Sequence, residues 1–528
     1  MPSPLTSRLL GCALLVWAPL ALADEVNFSV VHVYTNEPGV WGLGYYLATG
    51  GDVDADGMED FLLHREADWR TGAPSVVAVC SGRSYDYLYI WQAPDFEFGT
   101  GSILGDVDRD GYADCLLSIP MYPGHPAVSS TVWVFSGTNG TVLTTLRGQG
   151  PGEGFGRSLA LLNDVDGDGW SEVVVGAPNV STIPYNNGRV YLISSRTAAI
   201  LWMEDGASAG DGLPSDLGNL GDIDRDGIDD FIVSCDRTRV GGKRKGKVWV
   251  RSGRTQQVIY DLTGAEENGS FGYKLEVLDD TDADGFKDFA VGENTKDHVY
   301  SGATGSERFV WYDNGPDPGY LLSSIPDVDG DGTGDMLMGS EHNDWVLAVS
   351  GFDGKVLGRA IVTESRFPYA ALGLKDVTGD GLPDFLATIN PADEYGGRVC
   401  VFGTHSLRRT SAEGTSGGAG LSQLHVRAPA LAGKLILLFF SLSAEEGTPL
   451  RDRKLPLDSD PLLAWSVLHP LLVALDATGR ASFKLPDALL PGSLSGKIYG
   501  AYLSLDPLSP DGLGAISNAE VVVGDFQQ

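Results

Sequence analysis

Asp222-Ile223-Asp224-Arg225-Asp226-Gly227-Ile228-Asp229-Asp230 carries carboxylates at positions 1, 3, 5 and 9 and a glycine at position 6. The same pattern, Asp-x-Asp-x-Asp-Gly-x-x-Asp, begins again at Asp52, Asp106, Asp164, Asp280, Asp327 and Asp376, and the seven copies stand 54, 58, 58, 58, 47 and 49 residues apart. Self-similarity at a near-fixed period marks a repeat architecture, in which each unit is too small to bury a core alone. Carboxylates on alternate residues of a tight loop are the hard oxygen donors that calcium takes, six to eight of them at ~2.3–2.6 Å. Glycine at position 6 permits the sharp bend, and the carbonyl of Ile228 at position 7 is a further candidate ligand.

The candidate metal ligands are therefore Asp52, Asp54, Asp56 and Asp60; Asp106, Asp108, Asp110 and Asp114; Asp164, Asp166, Asp168 and Glu172; Asp222, Asp224, Asp226 and Asp230; Asp280, Asp282, Asp284 and Asp288; Asp327, Asp329, Asp331 and Asp335; and Asp376, Asp380 and Asp384. Glu172 replaces Asp in the third copy. Thr378 replaces the position 3 Asp in the seventh, which is expected to be the weakest site. An EF-hand loop starts alike but needs a carboxylate at position 12 between two helices. Here position 12 is Leu63, Leu117, Val175, Val233, Val291, Met338 or Ala387, each inside a β-prone run. A single Asp-Gly copy reads equally well as a solvated turn; seven copies with one spacing favour up to seven structural Ca2+ ions.

One copy shows the unit. Phe155-Gly156 opens a strand expected to run through Leu162. The acidic loop follows, then Val173 to Val175 ending in Gly176-Ala177-Pro178, then Val190 to Ile193, and after a turn Ile200 to Trp202. Four short antiparallel strands make one propeller blade. The third strand recurs at 76–80, 132–135, 248–250, 298–300, 345–349 and 399–402, and Ser-Gly follows it at Ser81, Ser136, Ser252, Ser301 and Ser350. The last copy stops after its third strand, whereas an orphan β-prone run, 26–34, precedes the first copy. The simplest closure uses that run as the outer strand of the seventh blade, which leaves no open sheet edge.

These residues resemble the FG-GAP repeats of integrin α-subunit propellers and of their secreted bacterial relatives, and the chain is expected to be a bacterial member. The acidic loops carry most of the resemblance, which covers about 24–403. Phe-Gly is literal only at Phe98-Gly99, Phe155-Gly156 and Phe271-Gly272, and Gly-Ala-Pro only at Gly176-Ala177-Pro178. The resemblance implies a seven-bladed β-propeller with calcium in the loops between first and second strands. The fold class expected is all-β, this propeller being followed by a small β-sandwich.

Residues 1–23 read as a secretory signal peptide: Arg8 supplies charge, an apolar run follows from Leu9, and Ala21-Leu22-Ala23 is a cleavage signal. Export would make the protein secreted, extracellular or cell-surface. No later run reaches the roughly 20 apolar residues a membrane helix needs, so no membrane span is expected. Cys80, Cys115, Cys235 and Cys400 lie out of register with one another and read as free, buried thiols. The net charge is −34, but the motif positions hold 27 of the 71 Asp and Glu; without them 44 acids face 37 Lys and Arg. The excess is stored in the loops. Nucleic acid is an unsuitable partner, because phosphate binding needs a basic surface.

The loops from second to third strands share the face opposite the acidic loops. They carry Trp69 and Arg70, Tyr122 and His125, Tyr185, and the basic run Arg237, Arg239, Lys243, Arg244 and Lys245. Aromatics beside cations on an acidic protein suit an extracellular protein or glycan ligand; the same loops read as solvated turns. In integrins the analogous face contacts partners, so the resemblance implies an adhesion or ligand-binding module. The alternative is a polysaccharide-active, lyase-like enzyme, for which His64, His125, Tyr122 and Lys243 are the nearest acid–base candidates. No catalytic motif supports it. Gly206 to Gly210 and Gly414 to Gly418 match G-x-S-x-G without a strand-to-helix turn, and Gly241 to Lys247 mimics a phosphate loop but runs into a strand. Residues 404–420 read as a linker rich in Ser, Thr and Gly, and 421–528 as a β-sandwich module of six or more strands.

Overall fold

The computed structural model describes residues 27–35, 43–67, 72–93, 103–119, 130–183, 185–294, 296–311, 320–340, 345–361, 365–366, 370–391 and 397–405, together with nine short strands beyond residue 423. The expected signal peptide lies outside the described residues, as does the linker beyond His405. All regular structure among the described residues is β, and no helix there is long and apolar enough to cross a membrane.

Seven antiparallel sheets follow one another along the chain. The third blade is typical: Leu159–Leu162, Glu172–Ala177, Arg189–Ser194 and Ile200–Asp205 pair in sequence order. The strand expected to open at Phe155 begins four residues later. Gly156, at φ +88°, is outside the extended region, and its N–H donates to the Gly176 carbonyl instead. The first strands of neighbouring blades touch in a closed circuit, from Leu43–Gly51 through each blade to Ala371–Leu374 and back. The seventh blade closes the ring: Asn27–Thr35 pairs with Arg398–His405, which pairs with Asp384–Pro391. The orphan N-terminal run is thus the outer strand of the last sheet, as the phase of the repeats required. Arg398–His405 runs two residues past the expected propeller end at 403.

The core lies between blades, because a sheet in a propeller has both faces covered. The second strands are buried along their whole length, as in Glu172–Ala177 and Asp230–Cys235. One cluster joins Leu116, Val132 and Val134 of the second blade to Phe155, Val173, Val175 and Tyr191 of the third. The position 12 residues, from Leu63 to Ala387, are at most 2% exposed, which is the place of core side chains and not of ligands. Cys80, Cys115, Cys235 and Cys400 are buried, and none of the four is in a disulfide. The chain divides into two compact units, one built mainly from Val30–Gly379 and Pro383–Gly403 and the other mainly from Thr404–Gln528. Within the second, Leu435–Ser441 is central in an antiparallel sheet with Leu471–Ala474, Tyr499–Leu505, Leu513–Ile516 and Glu520–Val521. Two ribbons complete it: Leu424–Arg427 with Arg480–Phe483, and Thr448–Leu450 with Arg453–Leu455.

Candidate metal sites and contact face

Each acidic loop connects the first strand of a blade to its second and is folded by its own carboxylates. In the fourth blade, Asp222 accepts the N–H of Asp226 at 2.9 Å on Oδ1 and that of Gly227 at 2.8 Å on Oδ2. Gly227 has φ +91°, and its counterparts in the other six loops lie between +87° and +96°. This left-handed bend is why glycine recurs at position 6. Asp224 Oδ1 accepts the Asp226 N–H at 3.1 Å. Asp230, fully buried, accepts the Ile223 N–H at 2.9 Å on Oδ2 and the Gly253 N–H at 3.0 Å on Oδ1. Gly253 belongs to the Ser-Gly turn after the third strand, so position 9 ties two corners of the blade together. The same double acceptance recurs at Asp60, Asp114, Asp288 and Asp335.

Carboxylate oxygens converge within 4.8 Å of one another in at least five loops: Asp52, Asp54 and Asp60; Asp106, Asp108 and Asp114; Asp164, Asp166, Asp168 and Glu172; Asp222, Asp224 and Asp230; Asp280, Asp282 and Asp288. These clusters could hold a metal ion. Positions 1, 3 and 9 supply the oxygens in four of the five. Position 5 is engaged by other groups there: Asp56, Asp110 and Asp226 accept the N–H of position 7 on one oxygen, and Arg83, Thr138 and Arg254 engage the other. Asp284 likewise accepts from Phe286. In the sixth loop Asp327 accepts from Gly332 at 2.9 Å, Asp329 and Asp331 share a hydrogen bond through the Asp331 N–H, and Asp335 is buried. In the seventh, Thr378 donates to Asp376 at 3.4 Å, Asp380 accepts from Leu382, and Asp384 accepts from Val377 and Thr378 at 2.9 Å.

The third loop differs. Ser195 stands where the other described turns have glycine, and it donates to the Ser171 carbonyl. Glu172 Oε2 accepts the Val165 N–H, but Oε1 is buried with no hydrogen-bond partner. An ionised oxygen without a partner in the interior is costly. A divalent cation among Asp164, Asp166, Asp168 and Glu172 would supply the missing partner, and the all-oxygen donor set fits a hard ion.

Electrostatics point the same way. Burial pushes Asp60, Asp114 and Asp230 up to about 6, Glu172 to about 7 and Asp335 to about 8, against the lowering effect of their backbone donors. Asp54 and Asp108 are raised by burial and by their neighbouring carboxylates.

On the opposite face, Trp69, Arg70, Tyr122 and His125 lie outside the described residues. Tyr185 is 81% exposed. It projects from a loop framed by buried Asn187, which accepts the Thr182 N–H at 3.0 Å and donates to the Gly206 carbonyl at 2.9 Å. The basic run of the fourth blade is not an irregular loop but a hairpin, Arg239–Val240 against Lys243–Arg244, turning through Gly241 and Gly242 at φ +63° and +82°. Much of its charge is already engaged. Arg244 meets Asp236 at 2.6 Å and Lys243 meets Glu267 at 2.7 Å, while Arg237 stands 3.8 Å from Asp236. Arg239 donates to Gly242 and Lys245 to Ala265, both to carbonyls. Of the acid–base candidates that are described, His64 is buried against Tyr46 with its pKa pushed down to about 4 by burial, and Lys243 is in an ion pair.

Sequence reasoning missed the arginines that follow the third-strand turn. Arg83, Arg196 and Arg254 each donate to the position 5 carbonyl of their own loop, at Asp56, Asp168 and Asp226. Their common separation of 27 or 28 residues from position 5 was a readable signal.

Residues 155–193 match the FG-GAP repeat model. The chain is 30% identical over 164 residues to integrin alpha-4 of Xenopus laevis and 30% identical over 228 residues to integrin alpha-PS2 of Drosophila melanogaster. Those alignments take in 29% and 39% of this chain but only 15% and 16% of the two relatives. These relatives are animal proteins, and the bacterial membership expected from the sequence is not borne out. Among solved structures, the WD40 domain of Toxoplasma gondii coronin aligns over 75% of this chain and 89% of that domain, at 11% identity and a TM-score of 0.45. The chain is a seven-bladed β-propeller that carries an FG-GAP repeat and is similar, over part of its length, to integrin α-subunits.

Proposed function

We propose that this protein is a secreted or cell-surface calcium-binding propeller that serves as a ligand-binding or adhesion module, with no catalytic role of its own. Residues 1–23 act as its signal peptide, 24–403 form the propeller, 404–420 a linker and 421–528 a β-sandwich module. Calcium, at up to seven loops, is structural: it neutralises carboxylates that otherwise repel one another across a few ångströms. Asp and Glu at positions 1, 3 and 9 hold it, with Asp168 joining in the third loop. The partnerless, buried oxygen of Glu172 is the observation that supports a cation most directly.

The ligand is an extracellular protein or glycan that meets the face carrying Tyr185 and the Arg239–Arg244 hairpin. What supports this is an exposed aromatic on a braced loop, on the blade next to a basic hairpin, in a chain similar to integrin α-subunits. The test is capture of the full chain on an array of glycans and extracellular proteins, with calcium and with chelator. Saturable, calcium-dependent capture that Tyr185→Ala and Arg239→Ala weaken is expected. Capture that those variants leave intact removes this face from the proposal, and product release from an acidic polysaccharide overturns the non-catalytic reading.

A further inference from the structure

The fifth acidic loop departs from its siblings at two positions, and the two side chains touch. Position 2 is Val53, Val107, Val165, Ile223, Val328 or Val377 in the other loops and Thr281 in this one. The second departure is on the outer strand. Where the third and outer strands pair, each of the first six blades skips one residue in a β-bulge. That residue is Leu88, Leu143, Leu201, Ile259 and Leu357 in five blades and Arg308 in the fifth. In the first, second and fourth blades the bulge residue and position 2 share an apolar cluster: Leu88 with Val53, Leu143 with Val107, Ile259 with Ile223. In the fifth blade an arginine and a threonine replace that apolar pair.

Arg308 reaches into the acidic loop. Its side chain is 14% exposed, with Nε 3.4 Å from Asp282 Oδ2 and Nη1 3.5 Å from Asp288 Oδ2. Nη1 also donates to the Thr281 hydroxyl, which in turn donates to Asp288. Further bonds run to the carbonyls of Gly351 and Phe352, in the turn of the sixth blade, at 3.3 and 3.4 Å. Asp282 and Asp288 are two of the three residues whose oxygens converge in this loop. By contrast, Arg83, Arg196 and Arg254 reach only position 5 of their loops.

We propose that Arg308 is the resident cation of the fifth loop, so that this loop closes on a guanidinium and takes no calcium. The proposal rests on reading the acidic loops as calcium sites and identifies the residue that decides which of them load. A calcium ion ~2.3–2.6 Å from the same oxygens would stand against a like charge held in place by Thr281, Gly351 and Phe352. Asp282 Oδ1, like Glu172 Oε1, is buried without a hydrogen-bond partner, but the Asp282 carboxylate already has a cation beside it, Arg308 Nε standing 3.4 Å from Oδ2.

Calcium bound per chain, measured by equilibrium dialysis on metal-stripped full chain, tests this. Arg308→Leu combined with Thr281→Val restores the pair used by the other blades, and Arg308→Gln removes the charge while keeping a polar side chain. Each is expected to bind one calcium more than the wild type. A second measurement keeps Arg308 and Thr281 in place and does not depend on either of those variants folding. Asp280→Asn is expected to leave the count unchanged, whereas Asp222→Asn lowers it by one. Equal, non-zero counts in the wild type and the Arg308 variants, or loss of a calcium with Asp280→Asn, overturn the proposal alone. No calcium bound by any of these chains overturns the calcium reading and this proposal with it.

Discussion

Metal-stripped protein is expected to lose stability as the pH rises from about 4 to about 8, and saturating calcium is expected to abolish that loss. Asp230 shows why. Burial holds its pKa at about 6 against 3.8 when free. A carboxyl that binds its proton more tightly when folded carries no penalty below its unfolded pKa and its full penalty above its folded one. The sign is therefore a fall in stability with rising pH. A displacement of roughly two units corresponds to ~3 kcal/mol. Asp60 and Asp114 are displaced alike, and Glu172 and Asp335 are also raised, to about 7 and about 8. His64 opposes the trend. Its pKa falls from 6.5 to about 4 on burial, so its contribution is lost as the pH drops through that window. Burial lowers His32 in the same direction, so two histidines stand against five carboxylates in five blades, and the carboxylates prevail. A cation in the loops pulls the folded pKa values down and adds ~2.7 kcal/mol per site at one hundred times Kd. The assay is urea unfolding across this pH range, with metal-stripped and calcium-saturated protein side by side. A stripped protein that grows more stable with rising pH refutes the reasoning, as does a calcium-saturated protein that follows the stripped curve.

Other outcomes follow from single sites. Gly253→Ala would place a Cβ 2.0 Å from the Asp229 carbonyl oxygen, so a loss of more than ~3 kcal/mol is expected in thermal melting. Tyr191→Phe leaves buried Glu153 without a hydroxyl donor now 2.9 Å away, and should cost ~1–3 kcal/mol by urea unfolding. Glu172→Gln keeps the shape of the third loop but removes its charge; the chain should bind one calcium fewer by equilibrium dialysis at a concentration that saturates the wild type. Tyr185→Ala, at an exposed position, should change stability by no more than ~0.5 kcal/mol, so that any loss of ligand capture reports on the surface alone.

The acidic loops and the third strands were legible because each is local: nine residues fix a bend, and a run such as Trp345 to Val349 fixes a buried strand. The closing strand was legible from the phase of the repeats, without any pairing signal in 26–34 itself. What local patterns did not reveal is set by partners distant in sequence. Asp60 is tied to Gly82, 22 residues on, and Arg83 of the same turn donates to Asp56, so the partners of positions 9 and 5 both come from beyond the third strand. The hairpin at Arg239–Arg244 carried its own signal, Gly241-Gly242 between short extended pairs, which the basic composition obscured. Arg308 was invisible in a search for acidic spacing, because its meaning lies in the leucines and isoleucine that hold its place elsewhere.

The pairing of Asn27–Thr35 with Arg398–His405 bears on how the molecule is made. At ~5–20 residues per second, the ribosome needs roughly 20–70 s to travel from one strand to the other. Throughout that interval the earlier strand has no mate, and six blades accumulate as an open arc whose free edges invite pairing with other chains. The growing chain is therefore most exposed to misassembly just before its last sheet is complete, and a companion that shields the waiting strand would act in that window.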